Sequence, residues 1–250
     1  MNNKPAIIFV HGLVRPPFMN AQQFEYFRGV RSALTDLPVT LHFPILPSGA
    51  SIEERAIPLA AAINAIESKV CYLIGHSMGG LDCRYYINNH RNDSRIKRLI
   101  TVATPHHGTP LADWAIKSHS PLAMILRSQF VDGIQDLTSS ACKSFNDKVP
   151  NRNDVEYLSY AASRPHWELP AWLRSLTKHT SSEPNDGLVP ITSAHWGHFE
   201  GLLHADHFEI SGWNLAFSNF AEQRPFDHIG FYRRLVNEAI SYTENKSAGA

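Results

Sequence analysis

The residues best suited to chemistry lie in a serine-centred turn, GHSMGG at residues 75–80. The apolar run before it predicts a short buried strand, and the apolar residues after it predict a helix. A serine on so tight a turn is strained, and Gly75 and Gly79 leave room for the elements packed beside it. The start of the following helix favours negative charge next to the serine. The pattern therefore predicts that Ser77 is a nucleophile rather than an idle serine in a glycine-rich turn.

A second turn, His11-Gly12, is expected beside the first. The continuous apolar run at residues 6–10 is typical of an interior parallel strand, and it ends at this turn. Gly12 lets the backbone turn so that the amide of Leu13 points at a reacting carbonyl. With the amide of Met78 as a second donor, the sequence predicts an oxyanion hole.

A serine hydroxyl also needs a base, and the base needs an acceptor for its second nitrogen. Where acid and base follow the nucleophile in that order, the acid is Asp186, in a turn-rich loop expected just after a strand. The base is one of four clustered histidines. The residues alone favour the last of them without excluding the others, His195, His198, His204 and His207. A zinc site in this cluster is disfavoured because no matching cysteine or carboxylate pattern accompanies it.

The elements that must position these residues alternate between strand and helix from residue 6 to residue 104. Strands are predicted at residues 6–10, 39–44, 70–74 and 96–104, and helices at 24–34 and 51–67. Pro58 is expected to kink the second helix or delay its start. The alternation predicts a mostly parallel sheet with helices on both faces and ligands at the carboxyl ends of the strands. A return to the sheet is predicted at 155–161, then a closing helix at 226–242 and a disordered tail.

Between residues 111 and 176 the alternation is lost and bulky apolar residues accumulate. Such an insertion must cover or bind something, so we expect a helical cap over the site, either a mobile lid or fixed packing. The chain is then one domain, 1–250, with a cap or lid insertion at about 111–176. The residues expected to contact the substrate are Phe18, Trp114, Leu122, Leu126 and Val189.

The composition limits the classes of molecule that the protein is expected to bind and the cellular compartment in which it is expected to act. The 23 Lys and Arg residues balance the 23 Asp and Glu residues, so nothing suggests binding to nucleic acid. Three cysteines form no disulfide framework, and no apolar stretch reaches the ~18 residues that a transmembrane segment needs. No apolar signal region precedes the first strand. We expect an intracellular protein, either cytoplasmic or associated with a lipid surface.

Five segments together resemble the triacylglycerol lipases of the α/β-hydrolase superfamily, both bacterial true lipases and fungal neutral lipases. The segments are FVHGL at 9–13, YFRGV at 26–30, GHSMGGLDCRY at 75–85, TPHHG at 104–108 and NDGLVP at 185–190. The resemblance implies the α/β-hydrolase fold. It also implies Ser77 as nucleophile, Asp186 as acid and His207 as base, with Leu13 and Met78 as oxyanion donors.

The same resemblance implies a serine hydrolase that cleaves carboxylic esters of lipids through an acyl-enzyme, without a cofactor. Its partner would be a lipid ester, with peripheral contact to a lipid surface. A phospholipase, a thioesterase or a short-chain carboxylesterase would use the same machinery. A non-catalytic module that binds lipid or protein is disfavoured because such a module has no need of a complete triad.

Two features of the sequence bear on this resemblance. Bacterial members commonly hold a structural calcium through a carboxylate two residues after the histidine, here Glu209. Trp213 stands where an amide ligand would follow, so no calcium is expected. Asp82 and Arg84, which match the fungal pattern, are interpreted as a buried ion pair or caps that brace the elbow rather than as catalytic groups.

Overall fold

The computed structural model describes residues 4–14, 25–179, 182–215 and 225–248. Within these ranges, six parallel strands form one sheet in the order β2-β1-β3-β4-β5-β6. They are β1 Ala6–Val10, β2 Thr40–His42, β3 Cys71–His76, β4 Ile96–Val102, β5 Glu156–Ala162 and β6 His198–Leu203. Because β1 and β3 are neighbours and Val10 pairs with Gly75, the turns at Gly12 and Ser77 lie side by side at the carboxyl edge.

Helices cover both faces of this sheet, as predicted. They are α1 Val30–Ala33, α2 Ile52–Asn64, α3 Met78–Asn89, α4 Pro110–Lys117, α5 Pro121–Asp136, α6 Ser139–Lys148, α7 Ala171–Thr177, α8 Ile191–Ala194 and α9 His228–Ala248. Successive residues of a strand point to opposite faces. Ile7 of β1 therefore belongs to the core cluster that includes residues of α1 and α9, whereas Ile8 belongs to the cluster that includes residues of α2 and α3. The mostly parallel α/β architecture is confirmed.

Two predicted helices differ in detail. The helix expected at 24–34 is reduced to α1, because Gly29 adopts a left-handed conformation (φ 71°) just before Val30. The expected delay of the second helix at Pro58 is wrong. A capping box between Ser51 and Glu54 fixes the start of α2 at Ile52, and the helix continues through Pro58.

The last quarter of the chain was harder to predict. Strand β6 was missed because most of its residues are exposed and show no apolar alternation. Asp186 does not directly follow a strand: it lies between α7 and α8, beside an isolated bridge that joins Asn185 and Pro190. The tail expected to be disordered is helical as far as Ala248.

The region expected to be the cap contains three consecutive helices, α4, α5 and α6, between strands β4 and β5. Their apolar residues join Met78 and Leu81 of α3 in a third core cluster. Strand β5 returns to the sheet within the region, so two helical segments flank it rather than one continuous insertion. No helix in the described ranges combines the length and the apolarity needed to cross a bilayer.

Candidate active site

Ser77 occupies the junction between β3 and α3 in a backbone conformation that residues other than glycine seldom adopt, with φ 56° and ψ −135°. Its amide donates to the carbonyl of Val102 on β4 at 3.0 Å, which anchors the turn to the sheet. A Cβ on Gly79 would collide with the carbonyl oxygens of Val10 and His11. Strain of this kind persists where the surroundings fix it, and it holds the serine out at the edge of the sheet.

The turn after β1 lies directly against this serine. A Cβ on Gly12 would be 2.8 Å from Cβ and 3.2 Å from Oγ of Ser77, so this position is confined to glycine. The amide of Leu46 donates to Nε2 of His11 at 2.9 Å, so Nδ1 carries the proton and donates to the carbonyl of Gly12 at 2.8 Å. That carbonyl shares a peptide plane with the amide of Leu13. His11 therefore fixes the direction in which the Leu13 amide points.

Behind the turn, a buried arginine connects β1 to the elbow helix. Arg55 Nη2 donates to the carbonyl of His11 at 2.7 Å and to Asp82 Oδ2 at 2.7 Å, and both charged side chains are fully buried. Burial raises the pKa of Asp82 to about 6, while the charge of Arg55 acts in the opposite direction. Asp82 thus braces the elbow, through Arg55 rather than Arg84. The sequence did carry a signal, since Arg55 shares the buried stripe of α2 with Ile52.

Arg84 makes a separate set of contacts that joins α3 to the cap. It donates to Asn146 Oδ1 of α6 at 2.8 Å and to Nδ1 of His106 at 3.2 Å, and it lies over the ring of Trp196. His106 Nε2 in turn lies 3.0 Å from the hydroxyl of Thr101. Burial lowers the pKa of His106 well below its usual value, and Arg84 lowers it further. A neutral imidazole therefore accepts from Arg84 at this position.

The predicted acid and base contact each other. His207 Nδ1 lies 2.7 Å from Asp186 Oδ2, and the amide of His207 donates to the carbonyl of Asp186 at 2.9 Å. Asp186 is fully buried, and its Oδ1 accepts from the amides of Leu188 and Val189 at 2.9 and 2.7 Å. Because Nδ1 is engaged with the carboxylate, Nε2 is the nitrogen of His207 that is left for a reacting hydroxyl.

The rival histidines lie elsewhere. His204 is exposed, with Nε2 3.0 Å from a carboxylate oxygen of Glu168. The ring of His195 packs on Phe199 at 3.9 Å, and the exposed His198 lies near Glu200. Among the described residues that line the cavity at Ser77, the histidine is His207.

A tyrosine and a second histidine that sequence reasoning did not single out pack beside His207. The Tyr26 hydroxyl lies 2.8 Å from His76 Nδ1, and the His76 ring packs on that of His207 with a centroid distance of 4.7 Å. Burial lowers the pKa of His76 well below its usual value and raises that of Tyr26 to about 12. Both side chains are therefore neutral near pH 7. The segment YFRGV was the available signal, since it formed part of the resemblance.

Ser77 and His207 open into one cavity of about 260 Å³. Its other lining residues are largely apolar and come mainly from the cap, from the Asp186 loop and from the turn after β1: they include Leu13, Ala115, Leu126, Phe130, Ile134, Trp172, Leu176 and Val189. An apolar cavity with Ser77 and His207 among its few polar lining residues is suited to an acyl chain whose carbonyl end lies at the serine.

The five residues expected to contact substrate are divided by the structure. Leu126 and Val189 line the cavity. Trp114 instead stacks on the ring of His179 at 3.8 Å, and Leu122 lies one turn nearer the start of α5, where it is 42% exposed. Neither is among the described lining residues, and Phe18 lies outside the described residues.

The structural calcium that the resemblance raised does not fit this chain. Both carboxylate oxygens of Glu209 already accept hydrogen bonds from Arg164, at 2.9 and 3.1 Å. The indole nitrogen of Trp213 donates to the carbonyl of Tyr26, so this side chain offers a cation no oxygen. In the part of the chain that the structure describes, no group of histidine, cysteine and acidic side chains is arranged to hold a metal ion.

The chain is similar to several known proteins. The family described as PGAP1-like alpha/beta domain matches residues 48–196. The chain is 37% identical over 245 residues to triacylglycerol lipase 2 of Saccharomyces cerevisiae, covering 88% of this chain and 75% of that protein. It is 31% identical over 117 residues to a triacylglycerol lipase of Pseudomonas fragi, covering 45% and 39% of the two proteins.

Solved structures show the same fold. The mature Bacillus licheniformis lipase BlEst2 superposes with a TM-score of 0.68 at 26% identity, over 86% of this chain and 89% of that one. The Staphylococcus hyicus lipase superposes with a TM-score of 0.72 at 16% identity, over 98% and 97% of the two chains.

Proposed function

Since the chain belongs to the triacylglycerol lipases of the α/β-hydrolase superfamily and is a carboxylic ester hydrolase that acts on lipids, we propose that it hydrolyses acylglycerols through Ser77, His207 and Asp186. One observation carries this proposal. His207, whose Nδ1 lies 2.7 Å from Asp186 Oδ2, lines the same apolar cavity as the strained Ser77. A nucleophile, an oriented base and an acyl-binding wall are thus together.

In the first half of the proposed reaction, His207 Nε2 takes the proton of the Ser77 hydroxyl as Oγ attacks the ester carbonyl. Asp186 accepts from Nδ1, which fixes the tautomer and stabilises the imidazolium that forms. The tetrahedral intermediate collapses, His207 returns the proton to the leaving alcohol, and the acyl group stays on Ser77 as an ester.

In the second half, His207 removes a proton from water while the water oxygen attacks the acyl-enzyme. Collapse of the second tetrahedral intermediate breaks the ester to Ser77, releases the fatty acid and returns the proton to the serine. Each half passes through an oxyanion. The proposed donors are the amide of Leu13, directed by the bond from His11 to Gly12, and the amide of Met78, which opens α3 and has no acceptor within the helix.

We also propose that α4, α5 and α6 form a lid that contacts a lipid surface. Helix α5 is apolar on two sides: Leu126 and Phe130 line the cavity, while Met124 and Ile125 point outward and are 56% and 62% exposed. Apolar side chains on the outer face of a cap favour peripheral binding to lipid. An intracellular location is proposed as well, supported by three cysteines that are all buried and unpaired.

The test is hydrolysis of p-nitrophenyl esters from acetate to palmitate, with and without emulsified triolein, by wild type and Ser77→Ala. We expect long-chain activity that rises with the emulsion and falls by more than about 10³-fold in the variant, because residual catalysis without the nucleophile comes from binding and the oxyanion hole. Ser128→Ala, an exposed serine on α5, is the matched control and should retain wild-type rates.

Each outcome separates the parts of the proposal. Full activity of Ser77→Ala would contradict the assignment of the nucleophile. Activity confined to short soluble esters would contradict acylglycerol hydrolysis, although it would preserve the triad. The inactive variant should also co-float with triolein droplets, and failure to do so would contradict the lipid-surface contact.

A further inference from the structure

One arginine contacts both of the loops that carry the acid and the base. Arg164 lies two residues after the end of β5, and its backbone amide donates to the carbonyl of Asn185 at 3.2 Å. Its guanidinium meets Glu209 in a two-point contact, Nε to Oε2 at 2.9 Å and Nη2 to Oε1 at 3.1 Å. Asn185 directly precedes Asp186, and Glu209 comes two residues after His207. Arg164 therefore joins the two loops close to their reactive residues.

The contact with Glu209 extends to both sides of His207. Glu209 Oε2 also accepts from the amide of Asp206 at 2.9 Å. Asp206 Oδ1 accepts in return from the amides of Phe208 and Glu209, at 2.8 and 2.9 Å. Hydrogen bonds between Asp206 and Glu209 thus close the chain around the histidine into a short loop. The guanidinium of Arg164 holds the Glu209 carboxylate of this loop.

The guanidinium also engages a second carboxylate. Arg164 Nη1 donates to Glu168 Oε2 at 2.8 Å, so two acidic side chains share one cation. Arg164 and Glu209 are buried, which makes the contact strong and its loss costly. Only the planar fork of an arginine can make these parallel contacts, and a lysine would supply a single point of charge.

We propose that Arg164 is a positioning residue for the acid–base pair. Its guanidinium, held between Glu209 and Glu168, fixes the His207 loop beside the end of β5, and its backbone amide holds the Asp186 loop at the same place, so that His207 stays within reach of the Ser77 hydroxyl. A cation built into the chain thereby fixes the loop after the histidine, and no metal ion is needed there. The inference rests on the proposed function and adds to it the group that holds the base in place.

The test compares Arg164→Gln and Arg164→Lys with wild type on a soluble short-chain ester, measuring kcat and KM separately. We expect Arg164→Gln to lower kcat by about 10²-fold with KM nearly unchanged, since a small displacement of a catalytic group costs about that much. Arg164→Lys should recover about tenfold of the loss because it restores charge without the fork. The rate at which a p-nitrophenyl alkylphosphonate modifies Ser77 should fall in parallel.

Arg98→Gln is the matched control, because Arg98 pairs with Glu156 across the strands β4 and β5 and does not line the cavity. It should leave kcat unchanged. If Arg164→Gln does not fold, Glu209→Gln removes the same charge pair from the other side and should show the same drop in kcat. Wild-type rates in Arg164→Gln or Glu209→Gln would overturn the proposal, as would equal losses in the Gln and Lys variants.

Calcium supplies a second readout. The thermal midpoint and the rate of the wild-type enzyme should be the same in calcium and in a chelator, and a dependence on calcium would overturn the proposal. The two failures are distinguishable. An active Ser77→Ala contradicts the proposed function, whereas an inactive Ser77→Ala beside a fully active Arg164→Gln contradicts only the role of Arg164.

Discussion

The nucleophile half of the site and its acid–base half are held in place by different means. The nucleophile half consists of Gly12, Leu13 and Ser77 at the ends of the neighbouring strands β1 and β3. The packing there leaves no room for a Cβ at Gly12. The acid–base half consists of Asp186 and His207, which lie on loops and are fixed by backbone hydrogen bonds and by an arginine.

The difference predicts how each half fails. Close-packed backbone tolerates no added atoms, and a charge buried in it must keep its partner. Loops held by hydrogen bonds tolerate added volume and instead depend on the groups that hold them. Substitutions in the nucleophile half should therefore act through stability and steric fit, whereas those at Arg164 should in addition displace the catalytic base.

The largest effect is expected from Asp82→Ala, which leaves the guanidinium of Arg55 buried without its carboxylate. Both side chains are fully buried, so the free energy of unfolding should fall by about 3–5 kcal/mol, as when one member of a buried pair is removed. Urea denaturation at pH 8, where Asp82 is ionised in the wild type, measures the change.

Asp36→Ala is the control for this prediction. Asp36 pairs with Arg233 at the surface, where water screens the two charges, so Asp36→Ala should lose little stability. Equal losses in the two variants would show that burial of the Arg55 pair carries no special weight, and the proposed contrast between the two halves would then lose its main support.

The next effect is expected at Gly12. In Gly12→Ala, the new methyl group would lie 2.8 Å from Ser77 Cβ and from the Tyr26 hydroxyl, so the turn that carries the Leu13 amide must shift. Loss of one oxyanion donor lowers kcat by about 10²–10³-fold, and we expect a fall in that range with KM changed little.

Gly201→Ala on the edge strand β6 is the matched control for activity, because a Cβ there meets nothing within 4 Å and the backbone strain at its φ of 159° lies away from the cavity lining. Its kinetics should equal those of the wild type. If Gly12→Ala were as active as Gly201→Ala, the turn after β1 would not contribute a donor to the oxyanion hole.

The same contrast explains how much could be predicted from the sequence. The strands up to residue 104 and the serine turn follow from local apolar runs and glycine spacing, which the core enforces. Asp186 and His207 were paired through chain order and resemblance, because no local pattern joins two residues on separate loops. Strand β6 and the contact of Arg164 with Glu209 had no such signal, since one is exposed and the other spans 45 positions.

Composition also could not replace geometry. Trp114 and Leu122 were assigned to the substrate site because the cap is apolar, yet position along a helix decides which apolar residue faces the cavity. Arg55 was readable in principle, as a charge on the buried stripe of α2, but its partner Asp82 lies 27 residues away. Long-range pairing of this kind depends on the folded topology.

A smaller effect tests whether the interior between α3 and the cap, where His106 contacts Arg84, stays dry. In the folded protein, burial and Arg84 hold the pKa of His106 well below its usual value, whereas in the unfolded chain it titrates near 6.5. The unfolded state therefore binds the additional proton, and this group's contribution to stability is present above pH 6.5 and lost as the pH falls below it. The slope reaches about 1.4 kcal/mol per pH unit for one proton.

His106→Asn isolates that contribution, because asparagine keeps an acceptor for Arg84 but does not titrate. The two proteins must be compared because other groups also make stability depend on pH. As the pH falls, the buried His76 lowers the stability of the protein in the same way as His106. Asp82 and Asp206, whose pKa values are raised to about 6, increase it as they take up protons. The difference in unfolding free energy between wild type and His106→Asn should be constant above pH 7.5 and should shift against the wild type below pH 6.5. A difference that is the same at every pH would mean that water or a proton reaches His106 in the folded state, and the interior between α3 and the cap would then be no drier than the loops that carry Asp186 and His207.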